Sequence, residues 1–355
     1  MSYKRVIVVH SYLAEHDDEV GRGEAPRNLD WGVRALRDQG FDVVVAHPGR
    51  GRSWLRRALS PLLGRIGHPA MEWRIWRMAR PSDVLYSVTG DLLLLPLLRS
   101  LGLFRPRIVG WSYTAPPRAP WHNVHRWKQL PLFLRGIDAV CCLTPLSAAW
   151  ARAQMRHARV VALYWGVDTR FYFPAPARPP SWFVCCGRAE RDFATLIEAL
   201  RGSSHRVKMV VLRAALDGLA LSQNVELAGE SPDRRLGYRE LTSQVYAPAA
   251  AFLIPLLDSP NNASGYTNLL EAMAMGKPVI MTRTGCLDID IEREQIGIYV
   301  APNDPDGWRR AMDRISNDPA AAEAMGARAR RLAEERFSYE GFGLQLARII
   351  GEAQG

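Results

Sequence analysis

The sequence predicts an α/β protein built from two doubly wound domains. Short apolar runs, typical of buried strands, alternate with amphipathic helix-like stretches throughout the 355 residues, and this alternation favours parallel sheets. The pattern stops at the proline-rich stretch FYFPAPARPPS at 171–181 and then begins again. Such a stiff, non-helical stretch is typical of a linker. We therefore expect two domains that face each other across a cleft, since ligands of open α/β sheets bind beyond the carboxyl ends of the strands.

Six strands and one helix are predicted in the first half. The strands are Arg5–Val9, Val43–Ala46, Val84–Ser87, Arg107–Trp111, Ala139–Leu143 and Val160–Tyr164. The helix, Asn28–Gln39, is followed by Gly40, and glycine commonly ends helices. These elements form a predicted first domain over residues 1–173, ahead of a linker over 174–181.

The second half repeats the alternation. Predicted strands are Trp182–Cys186, Lys208–Leu212, Val225–Leu227, Ala251–Pro255, Pro278–Thr282 and Ile298–Val300, and predicted helices are Asp192–Leu200, Tyr238–Gln244, Thr267–Met275, Asp306–Ile315, Ala320–Arg336 and Tyr339–Glu352. We assign residues 182–336 to a second domain. The last helix, within 337–355, is expected to pack back on the first domain.

The net charge of +10 is concentrated in the first half. Residues 1–175 contain 25 Lys and Arg against 13 Asp and Glu, a net charge of +12. The excess is greatest at 50–80, where arginines alternate with Trp54, Trp73 and Trp76. This mixture favours peripheral contact with an anionic membrane or an acidic acceptor, although two solvated helices would have the same composition. No zinc-finger, helix-turn-helix or RNA-binding motif accompanies the charge, so nucleic acid is not an expected partner.

The cysteines indicate neither disulfides nor a metal site. Cys141–Cys142 and Cys185–Cys186 are adjacent pairs within apolar runs, a spacing that fits neither a disulfide framework nor zinc ligands. We expect them to be buried as small hydrophobic residues. The start, MSYKRVIVVHSYL, lacks the order of a signal peptide, and no stretch approaches the roughly 18 apolar residues of a spanning helix. A cytoplasmic protein is expected, with peripheral contact at the inner membrane surface as its extension; the oligomeric state is not specified.

The stretch DSPNNASGYTNLLEAMAMGKPVI at 258–280 is the most informative. A polar, glycine-containing loop leads directly into the predicted helix Thr267–Met275, and a buried strand follows. The loop amides and the positive N-terminus of the helix suit an anion such as phosphate. Glu271 lies just over one turn into the helix, where its carboxylate can reach a sugar hydroxyl beside that phosphate. The two features together indicate a nucleotide that carries a ribose.

Five strings resemble motifs of the retaining GT-B glycosyltransferases of the GT4 group, also called glycosyltransferase group 1. In chain order they are WGVDTRFYFP at 165–174, GRAERDFATLIEAL at 187–200, LLEAMAMGKPVI at 269–280, IGIYVAPNDPDGWRRAMDRI at 296–315 and ERFSYEGF at 335–342. The resemblance implies the GT-B fold with two Rossmann-like domains. It also implies metal-independent transfer of a sugar from a nucleoside-diphosphate sugar, with no cofactor. The first half resembles the family only in outline.

The resemblance implies a donor site in the second domain. Arg191 stands at the position of the family's phosphate-binding lysine, Arg188 is a second candidate for that role, and Glu271 matches the glutamate that holds the ribose. The residues expected to face the sugar and phosphate are Ser264, Gly265, Tyr266, Thr267, Asn268 and Leu269. In the first half, Gly21 and Gly23 match the family's loop near the donor diphosphate, with a plain flexible loop as the alternative.

The glutamate pair of the family is incomplete in this chain. The first glutamate of the family's E-x7-E pair is expected at position 264, where this chain has Ser264. A neutral hydroxyl accepts hydrogen bonds from sugar hydroxyls less strongly than a carboxylate does. A different donor sugar, a contribution from Asp258 or Asn262, and lost activity are the alternatives, of which we favour the first.

The histidine that many relatives carry after a strand of the first domain is also absent. Tyr113 and Thr114 occupy that place, and His122 or His10 is the candidate replacement. We group His122 with Arg191 and Glu271 as catalytic candidates.

The leading hypothesis is a retaining glycosyltransferase with a natural-product, lipid-linked or glycan acceptor bound mainly by the first domain. In the front-face route implied by the resemblance, the departing phosphate accepts the acceptor's proton, so paired catalytic carboxylates are not required. Alternatives are a non-catalytic GT-B scaffold or partner subunit that binds nucleotide without transfer, and a basic protein that binds nucleic acid or anionic lipid. Neither the base nor the sugar of the donor can be read from the chain.

Overall fold

The structure, a computed structural model, describes residues 4–10, 13–47, 68–88, 92–113, 131–174, 182–187, 190–228, 236–258, 263–284 and 287–354. These residues form two compact units, each built around one six-stranded parallel sheet. The first unit comprises Met1–Asp18, Leu29–Tyr164 and Phe342–Gly355, and the second comprises Glu19–Asn28 and Trp165–Gly341. The division after Tyr164 lies before the predicted boundary at 173, and Glu19–Asn28 groups with the second unit although it lies near the start of the chain.

The first sheet has the strand order β2-β1-β3-β4-β5-β6. Its strands are β1 (Arg5–Val9), β2 (Asp42–Ala46), β3 (Val84–Ser87), β4 (Arg107–Ser112), β5 (Ala139–Cys142) and β6 (Arg159–Ala162). All six predicted strands of the first half are confirmed, and their ends differ from the predicted ones by at most two residues. Continuous runs of Val, Ile and Leu suit strands that are covered on both faces.

The second sheet has the strand order β12-β11-β10-β7-β8-β9. Its strands are β7 (Trp182–Cys186), β8 (Val207–Val210), β9 (Val225–Leu227), β10 (Ala249–Ile254), β11 (Val279–Thr282) and β12 (Gly297–Val300). Numbered within the sheet, this is the Rossmann order 3-2-1-4-5-6. The direction of the connections therefore reverses between β7 and β10.

Twelve α-helices flank the sheets within the described residues. They are α1 (Leu13–Gly21), α2 (Val33–Asp38), α3 (Pro69–Met78), α4 (Leu94–Ser100), α5 (Pro131–Leu134), α6 (Pro145–Gln154), α7 (Phe193–Leu200), α8 (Tyr238–Glu240), α9 (Tyr266–Ala274), α10 (Pro305–Asn317), α11 (Pro319–Arg336) and α12 (Tyr339–Gln354). A π-helix, Leu241–Tyr246, continues α8. None of the helices in the described ranges combines the length and the apolar character needed to cross a membrane.

The predicted helix Asn28–Gln39 is wrong as a continuous helix. A 3-10 turn over Arg27–Asp30 precedes α2, and the backbone between them is left-handed, with φ of 56° at Trp31 and 91° at Gly32. The Asp30 carboxylate stabilises this break because it accepts the N–H of Gly32 at 2.8 Å and that of Arg34 at 2.9 Å. A side chain at Gly32 would collide with Leu346 Cδ2, 2.6 Å from a Cβ there.

Long-range ion pairs connect distant segments of the second unit. Arg27 donates to Asp168 Oδ2 at 3.2 Å and to Glu340 Oε1 at 2.6 Å, and its guanidinium lies 4.8 Å from the centre of the Tyr339 ring. Burial acts to raise the pKa of the Asp168 carboxyl, but hydrogen bonds from Arg27 hold it below its ordinary value. Residues from both ends of the chain thus stabilise the same unit.

The cysteines of the described residues are buried and free. Cys141, Cys142, Cys185 and Cys186 lie within the strands of the two sheets. Burial raises the pKa of Cys142 to about 11 and that of Cys185 to about 12, so these thiols are neutral and unreactive at neutral pH. The prediction of buried small residues is confirmed for these four; Cys286 lies outside the described residues.

Candidate functional site

The two chain segments that leave β7 and β10 run side by side. The N–H of Asp192 donates to Pro255 O at 3.3 Å, and the N–H of Leu257 donates to Glu190 O at 3.1 Å. Arg191 and Leu256 form an isolated antiparallel bridge between these contacts. Because the strand order of the sheet reverses between β7 and β10, this is the point where doubly wound sheets bind ligands.

The helix after β10, α9, begins at a left-handed glycine. Gly265 precedes the first turn with φ of 86°, and a Cβ at this position would lie 2.8 Å from Ile254 Cγ2. The close approach therefore requires glycine. The helix runs over Tyr266–Ala274, one residue earlier than predicted at each end. Because Gly265 lies against Ile254 and Leu256, the positive N-terminus of α9 lies at the carboxyl end of β10, where the helix dipole stabilises an anion.

Arg191 is partly buried and joined to α9. Its Nη2 donates to Asn268 Oδ1 at 2.7 Å, and its Nε donates to Cys186 O at 3.3 Å. Burial lowers the pKa of Arg191, whereas the negative charge of Glu271 acts in the opposite direction. An arginine guanidinium nevertheless keeps its charge in proteins, so this position has a fixed cation beside α9.

A glycine leaves room for that guanidinium. Gly187, directly after β7, has φ of 125°, and a Cβ built on it would lie 2.6 Å from both Cζ and Nε of Arg191. Heavy atoms of a real side chain do not approach so closely. Both the backbone conformation and the space at position 187 therefore depend on glycine.

Glu271 accepts hydrogen bonds from three side chains. Tyr172 donates to Oε1 at 3.3 Å, while Tyr246 donates to Oε2 at 3.1 Å and Asn268 Nδ2 donates to Oε2 at 3.2 Å. Burial raises the pKa of the Glu271 carboxyl, and these three hydrogen bonds oppose the rise. Asn268 thus connects Glu271 to Arg191, because its amide donates to one and its carbonyl oxygen accepts from the other.

Tyr172 and Tyr246 were not predicted as site residues. Both are buried, and burial raises the pKa of each hydroxyl well above its usual value, so both remain protonated donors. Tyr246 ends the π-helix, whose wider turn is a feature often found at functional sites. Tyr172 lies within the string WGVDTRFYFP, but the resemblance gave its hydroxyl no role.

Arg330 fixes the backbone beside Tyr172. Its guanidinium donates to Tyr172 O at 2.7 Å, Ala274 O at 2.5 Å and Thr169 O at 2.9 Å. Ala274 is the last residue of α9, so the cation also satisfies the negative C-terminus of that helix. The contact holds the 169–172 turn against the helix that contains Glu271.

The remaining predicted donor residues lie in two places, around the start of α9 and around the end of α1. Thr267, Asn268 and Leu269 lie in the first turns of α9, and Ser264 is partly buried just before it. Gly21 ends α1, whereas Gly23, with φ of 69°, accepts a hydrogen bond at its carbonyl oxygen from Arg239 Nε at 2.7 Å. This loop belongs to the second unit.

The expected position of the missing glutamate is corrected by one residue. Seven residues between two glutamates place the first at 263 when the second is Glu271, and residue 263 is Ala263. The prediction at Ser264 was therefore one position too late. Neither residue has a carboxylate, so the departure from the family pair is unchanged.

The histidine candidates fall in the first half. His10 follows β1 and is buried, with its ring 5.7 Å from that of Trp31 in an edge-on arrangement. The hydroxyl of Tyr113 donates to Val88 O at 2.6 Å. His122 and Thr114 lie outside the described residues, as does Arg188 of the second half. Within the described ranges, no group of three or more His, Cys, Asp or Glu side chains could hold a metal ion.

Arg191, Asn268 and Glu271 form one hydrogen-bonded group that contains a cation and a carboxylate. The group lies at the switch point of the second sheet, which is the place where the strand order reverses between β7 and β10. A fixed cation and a helix N-terminus can hold an anion, and a carboxylate one helical turn away can accept a hydrogen bond from a hydroxyl. The family model of Glycosyl transferases group 1 matches residues 180–318, which include all three residues. This part of the chain is therefore similar to the group 1 glycosyltransferases.

One relative and two solved structures extend this finding. The D-inositol 3-phosphate glycosyltransferase of Corynebacterium jeikeium is 33% identical over 116 residues, which are 32% of this chain and 25% of that protein. The match thus spans a quarter of that relative's length. Sucrose-phosphate synthase from Thermosynechococcus elongatus has a TM-score of 0.72 at 16% identity, with 98% of both chains covered. Anabaena Alr3699/HepE in complex with UDP has a TM-score of 0.67 at 14% identity, with 98% of this chain and 100% of that chain covered.

The structural likeness extends beyond residues 180–318, the region that the family model matches. Because the identities are low, it concerns the fold alone, and it includes both six-stranded sheets. The predicted GT-B fold is therefore confirmed. The region matched by the family model contains the switch point between β7 and β10, whereas the first unit lies outside it.

Proposed function

We propose that the protein is a retaining, metal-independent glycosyltransferase that transfers a sugar from a nucleoside-diphosphate sugar to an acceptor. One observation supports this most directly: the hydrogen-bonded series from Arg191 through Asn268 to Glu271 at the switch point of the second sheet. The series fixes a cation and a carboxylate relative to one helix N-terminus. The solved relative HepE binds UDP, which is the class of molecule that such a site suits.

The leaving diphosphate would be stabilised by fixed charge. As the glycosidic bond breaks, negative charge grows on the departing phosphate, and Arg191 together with the N-terminus of α9 supplies preorganised positive charge. The guanidinium can donate two parallel hydrogen bonds to one phosphate group. Because these charges come from the protein, the proposal needs no metal ion.

Glu271 would hold the ribose. Of its two oxygens, Oε2 accepts from Tyr246 and Asn268, while Oε1 accepts from Tyr172. Each carboxylate oxygen has two lone pairs, so Oε1 retains acceptor capacity for a ribose hydroxyl. The two tyrosines fix the carboxylate before the nucleotide arrives.

Retention of configuration would follow a front-face route. The acceptor hydroxyl attacks the anomeric carbon on the side from which the diphosphate leaves. The departing phosphate oxygen takes the hydroxyl proton as the new C–O bond forms, so no protein carboxylate is required as a base. The anomeric configuration of the product, measured by NMR, tests this part: an inverted product would contradict it.

The absent carboxylate at 263 and 264 supports a different donor sugar. Ala263 and Ser264 precede α9 where the family's first glutamate would contact the transferred sugar.

Loss of that contact also favours the second candidate function, a GT-B scaffold or partner subunit that binds nucleotide without transfer. Slow hydrolysis of one nucleotide sugar, abolished in Arg191→Ala and in Glu271→Ala, separates the enzyme from the scaffold.

Two acceptor classes fit the proposal. A lipid-linked or membrane-surface acceptor suits the basic, tryptophan-rich stretch at 50–80, and a soluble natural product is the alternative. We also propose a cytoplasmic location, supported by the free thiols of Cys141, Cys142, Cys185 and Cys186. Of the stretch 50–80, the structure describes residues 68–80.

A nucleotide panel is the decisive experiment. The melting temperature is measured with UDP, GDP, ADP and TDP, each with and without EDTA, and then with the corresponding sugars. We expect one nucleotide to raise it, by an amount that EDTA leaves unchanged and that Arg191→Ala abolishes. If no nucleotide stabilises the wild-type protein, the donor-site proposal fails.

A further inference from the structure

One exposed face of the first unit combines apolar side chains with arginines. It consists of the outer side of α3 (Pro69–Met78) and the segment at 101–105, and we call it the Trp–Arg face. Its exposed apolar side chains, with their exposed fractions, are Trp73 (51%), Trp76 (38%), Met78 (37%), Leu101 (59%) and Leu103 (61%). Five large apolar side chains so exposed on two adjacent elements indicate an interaction surface.

The two elements form one continuous surface. Trp76 Nε1 donates to Leu103 O at 3.3 Å, which joins α3 to the 101–105 segment. The rings of Trp73 and Trp76 lie in contact, with centroids 4.9 Å apart. The exposed leucines therefore continue the surface that the two tryptophans begin.

A buried carboxylate fixes the orientation of α3. Glu72 is only 1% exposed, and its carboxylate accepts the N–H of Leu93 at 3.1 Å and that of Leu95 at 2.8 Å. These amides begin α4, where a negative charge is favourable. Met71 and Ile75 occupy the core on the same side of α3. Rotation of α3 to bury the tryptophans would expose this apolar side and break the Glu72 hydrogen bonds, so the tryptophans are held outward.

The charges on this face have one sign. Arg74, Arg77, Arg80 and Arg105 are exposed, and the segments 73–82 and 101–107 contain no Asp or Glu. Two copies of such a face would place like charges opposite each other, which disfavours self-association. A partner with many negative charges and an apolar layer beneath them would satisfy both kinds of side chain.

We propose that the Trp–Arg face docks on the surface of an anionic lipid bilayer. Tryptophan prefers the boundary between headgroups and acyl chains, and arginine binds anionic headgroups. Trp73, Trp76, Leu101 and Leu103 enter this boundary while the four arginines contact phosphates. The surface includes residues 101–105, beyond the basic stretch at 50–80. Docking does not depend on transfer activity, but it makes a membrane-bound acceptor the favoured class.

Vesicle sedimentation of the full chain tests the proposal. The wild-type protein is mixed with sucrose-loaded vesicles of phosphatidylcholine alone or with one quarter phosphatidylglycerol, and the bound fraction is measured at low and physiological salt. The variants are Trp73→Ser/Trp76→Ser and Arg74→Gln/Arg77→Gln. Leu212→Ser/Arg213→Gln, which changes an exposed leucine and arginine of the second unit, is the matched control. The melting temperature of each variant is measured to establish that it is folded.

We expect the wild type and the control variant to bind the anionic vesicles in a salt-sensitive way. Each arginine contributes roughly fivefold to the partition coefficient, so Arg74→Gln/Arg77→Gln should lower it about 25-fold, and the tryptophan variant should lower it at least tenfold. Equal pelleting of wild type and both face variants overturns the proposal. So does equal binding to neutral and anionic vesicles. A dimer seen by sedimentation velocity and lost in Trp73→Ser/Trp76→Ser would assign the face to a second copy instead.

Discussion

Replacement of Gly187 by alanine tests the donor-site geometry most directly. The added methyl would lie 2.6 Å from Cζ and Nε of Arg191, so the guanidinium must leave the position from which it donates to Asn268 Oδ1 at 2.7 Å. The displaced guanidinium would also lose the hydrogen bond that we propose it donates to the nucleotide phosphate. A hydrogen bond that involves a charged group contributes about 1.5–3 kcal/mol. Since every 1.4 kcal/mol is tenfold in affinity, we expect nucleotide diphosphate to bind roughly 10- to 150-fold more weakly.

The substitution also introduces backbone strain, which must be separated from the loss of the guanidinium. Gly187 has φ of 125°, and a left-handed conformation costs a non-glycine residue roughly 1–2 kcal/mol. Gly218 offers a matched control, because its φ is 80° and no heavy atom lies within 4 Å of a Cβ built there. Gly218→Ala should therefore lose only the stability that backbone strain costs and keep wild-type nucleotide affinity.

The assay combines isothermal titration calorimetry with urea unfolding, using the nucleotide identified by the panel. Wild-type affinity in a folded Gly187→Ala protein would refute the role of Arg191 in phosphate binding. An equal loss of affinity in Gly218→Ala would show that strain, rather than displacement of Arg191, causes the effect.

Three further outcomes follow from the contacts of the second unit. Asn268→Ala removes the side chain between Arg191 and Glu271, so calorimetry should show roughly tenfold weaker nucleotide binding, with an unchanged circular dichroism spectrum. Glu271 has a folded-state pKa raised from 4.5, so the native state retains a proton that the unfolded state has lost, and stability should fall as pH rises from 4.5 through the raised value. Urea unfolding between pH 4 and 7 should show this slope in the wild type and not in Glu271→Gln; identical slopes would contradict it. Arg330→Met leaves three carbonyl groups without their donor and should lower the free energy of unfolding by about 2–3 kcal/mol, whereas the exposed Arg331→Met should change it by less than about 0.5 kcal/mol.

Strand positions were predictable because they depend on local composition. Runs such as Arg5–Val9, Val84–Ser87 and Trp182–Cys186 have the length and the apolar content of a buried strand, and these are visible without tertiary information. The break at Trp31 and Gly32 was not predictable from periodicity. It depends on the Asp30 carboxylate and on Leu346, which lies more than 300 residues later in the chain.

The arrangement of the candidate site was predictable in part. Arg191 and Glu271 could be chosen from motif strings, and Gly265 from its place before a helix. The hydroxyls of Tyr172 and Tyr246 could not, because their convergence on Glu271 requires the 169–172 turn, the π-helix and α9 to pack together. The role of Asn268 as the connection between Arg191 and Glu271 depends equally on tertiary geometry, although its position in the loop–helix stretch had marked it as a donor-site candidate.

The pairing of Arg27 with Asp168 and Glu340 has a consequence for the order of folding. The partners are separated by 141 and 313 residues, so the second unit cannot be completed until nearly the whole chain has been synthesised. Closing loops of this length is slow, because the entropy of ordering the chain is lost before the distant contacts form. During synthesis the segment Glu19–Asn28 emerges early, before Asp168 and Glu340, the partners of its Arg27, have been made. We therefore expect refolding of the second unit to include a slow step that Arg27→Met retards, and a fragment that begins at residue 182 to lack native stability.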